Sequence, residues 1–349
     1  MIDTLKMLIP LSSMAELKLL EGKLTRTRRE NLKTDELEFE FHTGNFEMGT
    51  YKRSISFKSS DKPLGLFVEL SIPKFVYGNN VEMLYAHEIP ECVEKLRREL
   101  SERLQTELPN TSLWKIYRLD LCYNWTFESQ EKCQSLMNFI QRIDFPRKQK
   151  YVYNTSVMYK GTAYTIKFYL KGPEFLKHDY KTLLETDDIK AFYLMEWAPL
   201  ILRFEVEFRK NYLKDLFGLD SVTVADITDD KMILEIQQLY LDKVFRYISR
   251  EKTTFENIRQ TIAKNFSPSK TLRLYNFYKG YYYEADGKLM IEQGLNRSTI
   301  YRYKKDLKDI GITFTENFGE QESLALDELV IPSHRAQFTL LERHVINSK

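Results

Sequence analysis

Histidine and cysteine are scarce in this chain, and their spacing excludes more than their number does. The 349 residues hold five histidines (His42, His87, His178, His334 and His344) and three cysteines (Cys92, Cys122 and Cys133). No two histidines form a His-x-His or His-x-x-x-His pair, so a metal held by a histidine pair is excluded. The cysteines show neither metal-ligand spacing nor an even-numbered disulfide framework, which fits a reducing, cytoplasmic setting. There is no Gly-x-x-x-x-Gly-Lys-Ser/Thr loop, so no ATPase motor is indicated, and no Ser/His/Asp hydrolase pattern stands out. No apolar run approaches the ~20 residues needed to span a membrane. The apolar start, Met1 to Leu11, carries Asp3 and Lys6 and meets Pro10, which reads as a first strand and not as a signal peptide. Net charge is only +2, so any polyanion must be met by local basic clusters.

Three such clusters are present: Lys23, Arg26, Arg28 and Arg29; Arg147, Lys148 and Lys150; and Arg297 to Lys308. With 43% hydrophobic residues the chain can bury a core, as one large domain or two ordinary ones. Its 22 tyrosines and 22 phenylalanines suit a core and suit stacking on bases equally well.

Four stretches alternate apolar and polar residues with the period of a half-buried strand. Leu66 to Ile72 sets Phe67, Glu69 and Ser71 against Leu66, Val68, Leu70 and Ile72. Tyr117 to Cys122 sets Arg118 and Asp120 against Tyr117, Leu119 and Leu121. Thr165 to Lys171 sets Thr165, Lys167, Tyr169 and Lys171 against Ile166, Phe168 and Leu170. Leu202 to Arg209 sets Arg203, Glu205, Glu207 and Arg209 against Leu202, Phe204, Val206 and Phe208. In one sheet these sets share a face of carboxylates, cations and a tyrosine. A merely solvated face can use Ser, Thr and Lys, whereas clustered acids beside a tyrosine point to a metal site next to a nucleophile. The candidate metal ligands are the hard oxygens of Glu69, Asp120, Glu205 and also Glu207, which suit Mg²⁺ or Mn²⁺ better than zinc.

Helical spacing is expected over Pro90 to Leu108 and Ser129 to Ile143. A turn is expected at Pro73-Lys74 and Tyr77 to Asn80, and a hairpin over Tyr151 to Leu170 with Lys160-Gly161 at its turn. A helix is expected through Tyr180 to Tyr193. Beyond Gly218 strand patterns give way to helical ones at Met232 to Ile248, Phe255 to Asn265 and Thr271 to Tyr283. This places a boundary near Gly218, with domains 1–218 and 219–349. A helix from Ser298 to Ile310, capped by Ser298 or Asn296 and stopped by Gly311, follows a turn at Gly294 and a helical segment from Lys288 to Gln293. The pair describes a helix-turn-helix at about 288–311, whose second helix offers Arg297, Ser298, Thr299, Arg302, Lys304 and Lys305 to DNA.

In this order the segments resemble the gene II/X replication initiators of filamentous phages and related plasmids. Met1 to Pro10 looks like that family's opening strand, and Val68 to Asn80 is similar to its Glu-containing strand and Gly-x-Asn turn. Arg118-Leu119-Asp120 resembles its Arg-Ile-Asp strand, with Leu119 in place of isoleucine. Thr165 to Lys171 followed by Glu174 resembles its Tyr-Leu-Lys strand. Leu202 to Glu205, then Tyr212 to Leu219, is similar to its Arg-Phe-Glu strand and following helix, and Tyr275 to Ile312 resembles its C-terminal region. The resemblance is collinear over about Met1 to Ile312.

It implies an α+β nicking domain, a central antiparallel sheet with helices on one face, followed by a mainly helical DNA-binding region. It implies that Tyr169 is the nicking nucleophile and that a divalent cation is required; Glu69, Glu174 and Glu207 compete for the third ligand position. The expected activity is rolling-circle initiation: one origin strand is cut through a covalent 5′-phosphotyrosine, leaving a 3′-OH primer. Lys167 and Lys171 would hold the phosphate or favour the phenolate. Expected partners are origin DNA, as duplex and single strand, with a host helicase and polymerase. An alternative from another class is a non-catalytic helix-turn-helix regulator, which leaves the charged sheet face without a purpose. A tyrosine recombinase would need an Arg/His/Arg cluster and a late tyrosine in a helical domain.

Overall fold

The computed structural model describes residues 1–31, 36–47, 54–246, 253–284, 291, 294–314, 329 and 331. Among them ten strands form a single sheet in which every pairing is antiparallel. They are β1 (Ile2–Pro10), β2 (Thr25–Asn31), β3 (Glu36–Glu47), β4 (Ser54–Asp61), β5 (Leu64–Ser71), β6 (Lys115–Thr126), β7 (Gln149–Tyr153), β8 (Ser156–Lys160), β9 (Tyr164–Leu170) and β10 (Ile201–Arg209). The strand order is β2-β3-β4-β5-β1-β6-β10-β9-β8-β7. The four alternating stretches therefore fall on β5, β6, β9 and β10, with β1 inserted between β5 and β6.

The helices of the described residues are α1 (Met14–Glu21), α2 (Ile72–Tyr77), α3 (Ile89–Leu104), α4 (Gln130–Arg142), α5 (Lys171–His178), α6 (Tyr180–Thr186), α7 (Asp188–Trp197), α8 (Lys210–Phe217), α9 (Asp230–Phe245), α10 (Phe255–Asn265), α11 (Pro268–Glu284) and α12 (Arg297–Asp309). The apolar sheet face, with Val68, Leu119, Leu121, Ile166, Phe168, Phe204, Val206 and Phe208, joins one core with the buried residues of α3, α4 and α9. Each such side chain taken fully out of water contributes about 1.5–3 kcal/mol. Helix α4 shows how the sequence fixes this packing. Ser129 caps it through the Lys132 amide at 3.2 Å, and Cys133, Leu136, Met137 and Ile140 form its buried stripe. The Tyr159 hydroxyl on β8 donates to the carbonyls of Ile140 and Ile143 at 2.9 and 3.0 Å, which ties the end of α4 to the sheet.

Several expectations are corrected. The turn expected at Pro73-Lys74 is the start of helix α2, because proline fits a first helical turn whose amide needs no partner. Gly78, at φ 77°, ends that helix in the left-handed conformation. The helix expected through Tyr180 to Tyr193 is two helices, α6 and α7, the second capped by Asp187. Lys171 is not on β9: that strand ends at Leu170, and Lys171 opens α5. Tyr117 does not stay opposite Arg118. A register shift between Lys6 and Met7 of β1 brings its ring against Phe67, with centroids 4.8 Å apart.

The sequence changes character near Gly218, but the core divides later. Val222, Val224, Ile233, Tyr240 and Val244 belong to the sheet core, and Gln237 of α9 donates to the carbonyls of Met1 and Cys122 at 3.1 and 2.7 Å. A second core runs from Ile258 to Phe314 through α10, α11 and α12. Most of the segment from Lys288 to Gln293, the first helix of the expected helix-turn-helix, lies outside the described residues.

Candidate active site

Antiparallel register decides which side chains meet. Glu207 lies opposite both Asp120 and Thr165, Glu205 opposite both Cys122 and Lys167, and Arg203 opposite both Asn124 and Tyr169. Paired residues project to the same face. The polar sets of β6, β9 and β10 are therefore interleaved on one surface, as the alternation requires. Through β1 the row continues to Glu69, since Lys6 pairs with both Glu69 and Arg118.

At the centre, the Tyr169 hydroxyl donates to Glu205 Oε2 at 3.0 Å, while Lys167 Nζ donates to Glu205 Oε1 at 2.7 Å. Glu205 is only 6% exposed, so both contacts act where water screens little. Burial is the first cause pushing the Tyr169 phenol well above its ordinary pKa; Arg203 opposes the shift, and Glu205 and Glu174 add to it. Burial works to lower Lys167, but Glu205 and Asp120 hold its ammonium above the usual lysine value. The phenol is thus neutral at rest and hydrogen-bonded to a carboxylate.

Asp120 is 1% exposed. Arg118 grips it with two bonds, Nε to Oδ1 at 2.8 Å and Nη2 to Oδ2 at 2.6 Å. Burial nevertheless raises its carboxyl to about 7; the Arg118 bonds work against the shift and the charge of Glu205 adds to it. Glu69 is drawn elsewhere, to Arg118 Nη1 at 2.8 Å and Lys6 at 3.2 Å. Among the described residues no group of three or more His, Cys, Asp or Glu side chains is arranged to hold a metal. Two buried carboxylates, Asp120 and Glu205, are nevertheless a fitting donor set for Mg²⁺. That ion commonly takes one or two carboxylates and completes its shell with water and substrate phosphate.

Lys171 is fully buried, donates to Asn80 Oδ1 at 2.6 Å and pairs with Glu174, and its ammonium lies 5.8 Å from the centre of the Tyr169 ring. It packs behind the tyrosine and does not present a free ammonium to the polar face. Histidine spacing gave no reason to notice His178, yet it lines the same open cleft of about 450 Å³ as Tyr169, Lys167, Glu205 and Lys177. Sequence reasoning set Arg203 on the polar face but gave it no role; it stands fully buried opposite Tyr169 and pairs with Asp3 at 2.9 Å. Its signal was the polar-face alternation of β10.

The basic helix is α12. Asn296 caps it, accepting from the Thr299 amide at 2.8 Å, Leu307 packs inward, and Gly311 follows at φ 82°. Arg297, Ser298, Arg302 and Lys305 are exposed and Thr299 is half-buried. Lys304 departs from expectation. It bonds the Tyr281 hydroxyl at 2.5 Å and reaches Asp144 at 3.3 Å, because a long amphipathic side chain can cover an aromatic face and still pair its charge. Beside it, the Arg142 guanidinium lies 3.9 Å from the centre of the Tyr282 ring. The second basic cluster is likewise engaged internally, with Lys148 donating to the Tyr164 carbonyl at 3.1 Å and Lys150 to Asp144 at 3.2 Å.

Comparison with known proteins adds an independent line. The family model for the N-terminal region of the gene II replication-associated protein matches residues 1–231. No curated protein matches the chain. Among solved structures, a rolling circle replication initiator protein from Geobacillus stearothermophilus is similar at 12% identity, covering 72% of this chain and 88% of that one with a TM-score of 0.31. No helix among the described residues is long and apolar enough to cross a membrane. Because the family match takes in all ten strands and the whole charged face, this chain belongs to the family of gene II replication-associated proteins.

Proposed function

We propose that this protein starts rolling-circle replication by cutting one strand of origin DNA with Tyr169 and later rejoining it. The observation that carries the reading is the hydrogen bond from the Tyr169 hydroxyl to Glu205, inside a cleft that also holds Lys167. A nucleophile joined to a base that a third group orients is the arrangement expected of covalent catalysis. Glu205 accepts the phenolic proton as the tyrosine oxygen attacks phosphorus. The phosphorus–O3′ bond breaks, the leaving oxygen takes up a proton, and a 5′-phosphotyrosine and a free 3′-OH remain. The phosphodiester energy is kept in the adduct, so rejoining needs no ATP. Lys167 holds Glu205 in place and adds positive charge beside the phosphoryl group. Asp120 and Glu205 would hold Mg²⁺ or Mn²⁺, which supplies Lewis-acid stabilisation of the phosphoryl oxygens when bound. The 3′-OH would prime a host polymerase, with a host helicase opening the duplex.

The test incubates the full chain with supercoiled replicon DNA and Mg²⁺ and maps the covalent adduct by peptide analysis. The expected attachment is the peptide carrying Tyr169. Absence of any adduct with either Mg²⁺ or Mn²⁺ would overturn the reading and leave the non-catalytic regulator.

Duplex binding falls to α12 in this reading. Replacing Arg302 and Lys305 by alanine should weaken duplex binding and lower the slope of log K against log salt by about 0.9 for each phosphate left without its cation. Cutting of a short single strand should survive, since neither residue lines the cleft. An unchanged salt slope would remove α12 from the duplex interface.

A further inference from the structure

The cleft over Tyr169 has a second aromatic group that the proposed chemistry leaves unused. Tyr153 ends β7, lines the same cleft and is 53% exposed. Its backbone is firmly held although its side chain meets solvent. It pairs with Ser156 across the β7–β8 hairpin, and Gln141 Nε2 donates to its carbonyl at 2.7 Å. Lys177 and His178, both exposed at the end of α5, belong to the same lining. The two carboxylates of that lining are already compensated within the protein. Glu205 pairs with Lys167 at 2.7 Å, and Glu174 pairs with Lys171 and with Lys74 at 3.7 Å. The cleft therefore offers the Lys177 ammonium and a solvent-facing ring on a held backbone, in the same lining as Tyr169.

We infer that Tyr153 is a stacking platform for a base of the single strand that enters this cleft, with Lys177 against the strand's backbone. Tyr153 and Tyr169 line one open cleft, so a strand seated over Tyr169 lies within the lining that Tyr153 shares, and the Lys177 ammonium there is complementary to phosphate. The volume, about 450 Å³, suits a ligand of roughly nucleotide size. Stacking accepts any base, because every base has a π-face, so Tyr153 grips the strand without reading its sequence. The inference rests on the nicking reading in one respect: it takes the occupant of the cleft to be the strand that Tyr169 attacks.

The test separates binding from cutting. Full-length protein in EDTA is titrated with a labelled oligothymidylate of roughly 16 nucleotides, and binding is followed by fluorescence anisotropy. Tyr153→Ala should weaken binding by roughly 5- to 150-fold, the loss of one base–aromatic stack. Tyr153→Trp should bind at least as tightly as wild type, and Lys177→Ala should lower the salt slope by about 0.7. Equal melting temperatures would show that the variants fold alike. Unchanged binding by Tyr153→Ala, or a loss in Tyr153→Trp as large as in Tyr153→Ala, overturns the platform. The two readings fail separately. A wild-type adduct with unaltered Tyr153→Ala binding removes the platform alone. Weakened Tyr153→Ala binding without any wild-type adduct removes the nicking chemistry alone.

Discussion

Tyr169→Phe is expected to abolish the covalent protein–DNA adduct and strand cutting, a loss on the order of 10⁴-fold or more. Binding of the single strand should stay close to wild type. The substitution deletes one oxygen and keeps the ring, so the difference between cutting and binding isolates the nucleophile. Its structural cost is one hydrogen bond to a charged, buried acceptor, about 1.5–3 kcal/mol. The melting temperature should fall by a few degrees at most. Tyr159 is poorly placed to substitute, since it is fully buried with its hydroxyl bonded to two main-chain carbonyls. Tyr164 is also engaged, with the Lys148 ammonium 3.3 Å from its ring centre. If the phenylalanine variant still forms adducts at the wild-type rate, the nucleophile is another tyrosine and the role assigned to Glu205 falls with it.

The charged face was legible because strand periodicity assigns a face without reference to any partner strand. Glu205 with Glu207, and Lys167 with Tyr169, could be grouped from spacing alone, and the register of β9 against β10 interleaves the two pairs. Strand order was not legible. The Glu69–Arg118 contact depends on β1 lying between β5 and β6, and nothing local in β5 or β6 specifies that neighbour. Counting by two also carried Lys171 one residue beyond the end of β9, where the chain turns into α5. Gly172 lets the start of α5 lie close against the chain at Pro199: a Cβ there would meet the Pro199 backbone at 2.9 Å. Helical spacing likewise placed Lys304 outward, because its partner Asp144 lies far away in the sequence. Strands β2, β3 and β4 were not anticipated, although Leu37, Phe39 and Phe41 alternate with Glu38 and Glu40. Distant partners are set by topology, which local pattern does not carry.

Glu205→Gln is expected to reduce the rate of adduct formation by roughly 10²- to 10⁴-fold, the range for loss of a positioned base. Glutamine keeps the shape of the side chain and can still accept from the Tyr169 hydroxyl, so the tyrosine should hold its place. What disappears is the charge that receives the proton and that, with Asp120, would hold the cation. Lys167 loses its 2.7 Å partner but keeps Glu207 at 3.5 Å, so its ammonium is not left unpaired and the fold should survive. Chelation supplies the second arm. Excess EDTA should suppress adduct formation by wild type, and added Mg²⁺ or Mn²⁺ should restore it. Zn²⁺ should restore it poorly, because the donors are hard oxygens. In the Gln variant neither added metal should recover more than a small part of the wild-type rate. Two results would break this account in different places. Wild-type adduct formation that persists undiminished in EDTA removes the cation but leaves Glu205 as base. A Glu205→Gln variant that cuts at the wild-type rate removes Glu205 from both roles, and the hydrogen bond to Tyr169 would then serve only to orient the ring.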